Sequence, residues 1–150
     1  MRAKFLIMAA SVLLATSAPT SASALGPEPS ASQAQSVDVF QTGGDAVHYS
    51  STPPPTISAH GWWLDRDSGG AKAKVTVELQ MQSGGSRRTV ATGSKTVKQG
   101  GGSARRANAR KTCVGTKAAK WRSRVDVDII GAADSPNKLE TPGKTFNCDV

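Results

Sequence analysis

The run Lys120 to Gly131, Lys-Trp-Arg-Ser-Arg-Val-Asp-Val-Asp-Ile-Ile-Gly, alternates with a period of two. Successive side chains of a β-strand point to opposite faces. Trp121, Ser123, Val125, Val127 and Ile129 therefore share one face, and Arg122, Arg124, Asp126 and Asp128 the other. The stretch reads as a half-buried strand lying between the two cysteines of the chain, Cys113 and Cys148. Ala73 to Gln82 repeats the pattern, with Ala73, Val75, Val77, Leu79 and Met81 opposite Lys74, Thr76, Glu78, Gln80 and Gln82. One antiparallel register satisfies both faces of these two strands. It sets Trp121 against Met81, Val125 against Val77 and Val127 against Val75 on the core side, with Arg124 beside Glu78 and Asp128 beside Lys74 outside. A slip of one residue would reverse every pair.

Shorter segments complete the pattern. Ile57 to Leu64 reads as a first strand, followed by the turn chemistry of Asp65-Arg66-Asp67-Ser68-Gly69-Gly70. Arg87 to Thr92 and Ser94 to Lys98 read as two short strands about Gly93, before the break at Gly100-Gly101-Gly102. Arg105 to Cys113 puts Ala107 and Ala109 on the cysteine's face and Arg106, Asn108 and Arg110 on the other. Asp134-Ser135-Pro136-Asn137 marks a loop, and Lys144 to Val150 carries Phe146, Cys148 and Val150 on one face. Short strands, Gly-rich connections and no helical period predict an all-β fold. We expect a small antiparallel β-sandwich, immunoglobulin-like or barrel-like, over residues 57–150. Only 35 positions separate the cysteines. That leaves no room for the immunoglobulin strand order between them.

Upstream, Met1 to Ala24 has basic Arg2 and Lys4, an apolar run from Phe5 to Ala15, and the small-residue ending Ala22-Ser23-Ala24. This is the pattern of a secretory signal peptide, so the mature chain is expected to be extracellular, with no membrane span. Residues 25–56, rich in Pro, Ser, Gly and Gln and ending in Pro53-Pro54-Pro55, read as a linker or tail. Val37 to Phe40 and Ala46 to Tyr49 flank Gly43-Gly44 and suggest a weak hairpin, or one edge strand added to the domain. Export favours a Cys113–Cys148 disulfide over a metal pair. In the chain-entropy model such a bridge stabilises the fold by roughly 3 to 4 kcal/mol. Strands two apart in one sheet are about 9.5 Å apart, so the cysteines must lie on neighbouring strands or facing sheets.

The formal net charge is +8, unevenly spread. From Lys72 to Arg124 there are fourteen Lys or Arg residues against one acid, Glu78, while both flanks are acidic. Arg87, Arg88, Arg105, Arg106, Arg110, Lys111, Lys117 and Lys120 are therefore the candidate anion-binding residues, suited to an acidic polymer if the strands bring them onto one face. No stacking aromatics are interleaved with them, which argues against sequence-specific nucleic-acid recognition. Trp62 and Trp63 are adjacent, so one must leave the core and is a candidate aromatic contact for a sugar or protein partner, unless the upstream segment covers it.

Catalytic, metal and cofactor signals are weak. A calcium loop starting at Asp65 would need a glutamate where Thr76 stands. His48 and His60 lie in different segments without further ligands at zinc spacing. No Gly-x-Ser-x-Gly motif is present, and Asp126 and Asp128 share a strand face with two arginines, as in a surface ion-pair ladder. No catalytic residue, metal ligand or cofactor is assigned.

His60-Gly61-Trp62-Trp63, Lys74 to Gln80, Arg106-Ala107-Asn108-Ala109-Arg110, Trp121-Arg122-Ser123 and Val125-Asp126-Val127-Asp128 resemble small secreted actinobacterial β-domain proteins of unassigned function. The resemblance spans roughly Ile57 to Val150. It implies export and a compact β domain, and transfers no active residue. The expected function is a secreted, non-enzymatic interaction module that binds an anionic envelope polymer or polysaccharide, or a protein partner. The alternative is a small secreted enzyme or enzyme inhibitor with a loop-built site.

Overall fold

Nine strands form two antiparallel sheets that face each other, in a computed structural model that describes residues 40–66, 69–134 and 136–150. The expected signal peptide and the part of the expected linker up to residue 39 lie outside the described residues, as do residues 67, 68 and 135 in two expected turns.

The larger sheet is built on β4 (Lys72–Ser83) and β7 (Gly115–Ile129), which pair in the register expected from their alternation. Trp121 opposes Met81, Val125 opposes Val77 and Val127 opposes Val75, and Glu78 and Lys74 meet Arg124 and Asp128 outside. Strand β5 (Ser86–Lys98) pairs with the free edge of β4. The free edge of β7 carries β8 (Leu139–Glu140) and β9 (Lys144–Asp149).

The smaller sheet is centred on β3 (Thr56–Leu64), with β6 (Ala107–Thr112) along one edge. Along the other edge run β1 (Gln41–Gly44) and β2 (His48–Ser50). This corrects the sequence reading in two ways. Residues 41–50, read as part of a linker holding either a weak hairpin or one edge strand, pair along the edge of β3 as the edge-strand alternative had it, and Gly43 and Gly44 are strand residues rather than a hairpin turn. The reason is steric: the Trp62 ring lies over Gly43, where a Cβ would fall 2.3 Å from Nε1. β1 and β2 form one edge strand with a break. Between the pairs Gly44/Gly61 and His48/Ser58, three residues oppose two. Such an extra residue bends the strand and re-aims its side chains. Asp45 donates its N–H to the His60 carbonyl at 3.0 Å, and Val47 turns fully into the core.

A third correction concerns β5, expected as two short strands about Gly93. It is continuous, and Gly93 lies within it. Its missing side chain is needed where β5 meets β6, because a Cβ there would fall 1.9 Å from the Asn108 carbonyl oxygen. No ladder joins β5 to β6 among the described residues. They are tied instead through the loop between them and through Trp63, whose Nε1 donates to the Val97 carbonyl at 3.2 Å and whose carbonyl accepts the Gly100 N–H. A single 3-10 turn, Ser103–Arg105, precedes β6.

The core holds Trp63 and Trp121, both fully buried, with Ile57, Ala59, Val75, Val77, Leu79, Val125 and Val127. Trp121 Nε1 donates to the Cys148 carbonyl at 3.0 Å, so neither buried indole leaves its N–H without a partner. Buried Ser123 and Thr141 satisfy each other, Oγ to Oγ1 at 3.0 Å. Cys113, just after β6, is bonded to Cys148 of β9, with Cα atoms 5.1 Å apart. The bridge therefore joins the two sheets, one of the two arrangements, neighbouring strands or facing sheets, that strand spacing left open.

Candidate functional site

The outer face of the smaller sheet follows from strand parity. With Ile57, Ala59 and Trp63 inward, β3 turns Thr56, Ser58, His60 and Trp62 outward. The register sets these beside Thr112, Arg110 and Asn108 of β6, with Arg106 immediately before that strand. On the other side Ser58 meets His48. Two open grooves run along this face. One, of about 750 Å³, is lined by His60, Ser94, Lys95, Gly101, Ser103, Arg106 and Asn108. The other, of about 520 Å³, is lined by Ser50, Thr52, Pro53, Pro54, Thr56, Arg110, Lys111 and Thr112. Neither lining includes an acid.

A connected polar cluster occupies the centre of the face. The His48 and His60 rings stack with centroids 5.2 Å apart. His48 Nε2 hydrogen-bonds Ser58 Oγ at 2.8 Å. His60 Nδ1 lies 3.4 Å from Asp45 Oδ2, a charge contact rather than an aligned hydrogen bond. The same carboxylate oxygen accepts from Arg106 Nη1 at 2.5 Å. Arg106 also donates to the Gly101 carbonyl and lies over the Trp62 ring, 4.5 Å from its centroid. Burial, and then the neighbouring His48, hold the His60 imidazole below its usual value, with Asp45 opposing them.

The eight candidate cations are divided among several places. Arg106, Arg110 and Lys111 reach the grooved face, and Arg105 lies next to it, its Nη1 donating to the Gln99 carbonyl at 2.9 Å. Arg87 and Lys120 flank Gln82 on the opposite, outer face of the larger sheet, where Arg87 bonds the Gln82 side chain at 2.7 Å. Arg88 donates to the Val150 carbonyl. Lys117 is exposed near the start of β7, where its backbone N–H reaches Asp149 Oδ1 at 3.2 Å. The eight do not form one continuous patch. Lys95, absent from the sequence-derived set, joins the grooved face from β5.

The larger sheet's outer face is instead interleaved with acids. Glu78 pairs with Arg124 at 2.8 Å, Asp126 with Lys138 at 2.5 Å, and Glu140 with Arg122. The expected ion-pair ladder is present, although Asp126 takes a lysine as partner rather than an arginine. Burial, and a hydrogen bond with Asp134, push the Asp128 carboxyl above the usual range.

Of the two adjacent tryptophans, Trp63 is wholly inside and is removed from any surface role. Trp62 lies outside but is pressed between Gly43 and the Arg106 guanidinium, so it positions Arg106 rather than offering a bare stacking platform. Sequence reasoning missed the Asp45, His48, Ser58 and His60 grouping. Its available signal was the parity that puts Ser58, His60 and Trp62 on one face.

Among the described residues, no group of three or more His, Cys, Asp or Glu side chains is arranged to hold a metal ion, and no helix is long and apolar enough to cross a membrane. No protein-family model, curated protein or solved structure matches the chain.

Proposed function

We propose that this protein is an exported, non-enzymatic binding module that holds an anionic polymer, such as an acidic polysaccharide of the cell envelope, along the outer face of the smaller sheet. Export is supported by the leader-like residues 1–24 and by the disulfide. The observation that carries the binding reading is the charge of this face. Lys95, Arg106, Arg110 and Lys111 line two grooves without an acid, and Asp45 is engaged with Arg106. An extended polymer laid along β6 would meet Arg106 and Arg110 four residues apart, roughly 13 Å at the strand rise. Fixed guanidinium groups suit sulfate, phosphate or carboxylate.

The test is retention on dextran sulfate against neutral dextran across a salt series. Binding should fall about 10- to 100-fold between roughly 50 and 200 mM salt, by the release of counterions from a polyanion. Arg110→Glu should abolish it, and Lys120→Glu, on the other sheet, should leave it largely intact. Salt-insensitive retention, or equal loss in both variants, would refute the assignment.

One contact favours a second reading, a hydrolase: Ser58 and His48 are in hydrogen-bond reach, as a nucleophile and its base would be. Against it, Ser58 is only 8% exposed, and the nearby carboxylate contacts His60. Labelling of Ser58 by a fluorophosphonate, lost in Ser58→Ala, would establish the hydrolase.

A further inference from the structure

We propose that the stacked imidazoles of His48 and His60 make this face a proton-gated anion site, which grips a polyanion tightly below about pH 6 and loosely above pH 7. The inference rests on the binding reading above and adds its regulation. Two rings with centroids 5.2 Å apart lie beside the cations of the two grooves: His60 of β3 is opposite Asn108, which stands between Arg106 and Arg110, and His48 of β2 lies across Ser58 from Arg110. The charged groups facing the pair are Asp45 from the break between β1 and β2, Arg106 from just before β6, Arg110 from β6, and Lys95 across the groove from β5. The neighbours of His60 on its own outer face, Ser58 and Trp62, carry no charge.

With one carboxylate against three cations, the surface around the rings carries net positive charge in the empty site. His60 is held in its neutral form by its partial burial and by His48. An anion docked between Arg106 and Arg110 reverses this balance, because it adds negative charge beside the rings beyond that of Asp45, which Arg106 already engages. Binding therefore takes up protons, and by linkage a fall in pH strengthens binding. An imidazolium about 6 Å from an anion, at the dielectric of water, changes affinity by about threefold, so the two rings together change it by about tenfold.

Dextran sulfate is the suitable probe because its charge is fixed across the window. Its affinity, measured by isothermal titration calorimetry at constant ionic strength, should rise about tenfold from pH 7.5 to pH 5.5. Heats recorded in buffers of different ionisation enthalpy should report net proton uptake. The double variant His48→Gln/His60→Gln, in which the amide can still reach Ser58, should bind with the same affinity at pH 5.5 as at pH 7.5. If the double variant fails to fold, His48→Gln alone, at an exposed ring, should lose about half of the pH dependence. Binding that persists with no pH dependence in the native protein, or with the same dependence in the variants, overturns the gate and leaves the polyanion reading standing. Failure to bind dextran sulfate at every pH overturns both.

Discussion

Gly93→Ala isolates the contact that brings the two sheets together along one side. The residue lies within β5 and is not among the glycines with positive φ, so alanine fits the backbone and only space is at issue. The added Cβ would sit 1.9 Å from the Asn108 carbonyl oxygen, where ordinary contact begins near 3.4 Å. The obstacle is backbone on both sides, so no side-chain rotation relieves it. β5 and β6 must part by about 1.5 Å, the difference between those separations. Overpacking of this kind costs about 1 to 3 kcal/mol. Parting the strands also strains the Trp63 Nε1 bond to Val97, and leaving that buried donor unsatisfied adds about 1 to 3 kcal/mol. Together these imply a loss of about 3 kcal/mol, or roughly 10 to 20 °C in Tm for a domain of this size. Urea unfolding followed by tryptophan fluorescence measures it, and Trp63 emission should shift red in the folded variant. Gly102→Ala is the control, since nothing lies within 4 Å of its Cβ position and its φ is −69°. It should be neutral, or stabilising by about 0.4 to 1 kcal/mol. A Gly93→Ala protein with the native midpoint and native emission would refute the close-approach argument.

Two further outcomes follow from bonds between elements. Replacing both cysteines, Cys113→Ala/Cys148→Ala, frees a loop of 35 positions and should cost about 4 kcal/mol, seen as a lower urea midpoint in the absence of reductant. The Glu78 carboxyl is held below its usual range chiefly by hydrogen bonds from Arg124. Its contribution is therefore complete above the ordinary glutamate value and vanishes as pH falls through the lower folded value. Glu78→Gln should lose about 1 kcal/mol at pH 7 and converge on the native protein in urea titrations between about pH 5 and pH 2.

The parts of the fold legible from sequence are those where two independent patterns agree. The β4–β7 register is determined because Val77 against Val125 and Glu78 against Arg124 demand the same alignment. The disulfide and the inward set of Ala107 and Ala109 follow in the same way from parity and compartment. What stayed hidden depends on contacts distant in sequence. Gly43 and Gly93 look like turn residues until the Trp62 ring and the Asn108 carbonyl are placed against them. The strand break that brings Asp45 to His60 is three residues opposing two, and no local composition marks it. The cationic stretch from Lys72 to Arg124 was visible as a charge excess. Its division between faces was not, because each side chain's direction depends on which strand its own lies beside. Lys95 joins the site only because β5 runs past β6.

The interrupted border strands have a consequence for crowding. A sheet that ends in a straight row of free amides invites another molecule to add its own strand, the first step toward fibrils. Here β1 and β2 break after four residues and β8 and β9 after two, so neither border offers an unbroken template. The remaining borders, β5 and β6, are turned toward each other. Many copies can therefore stand at high local concentration without their sheets fusing.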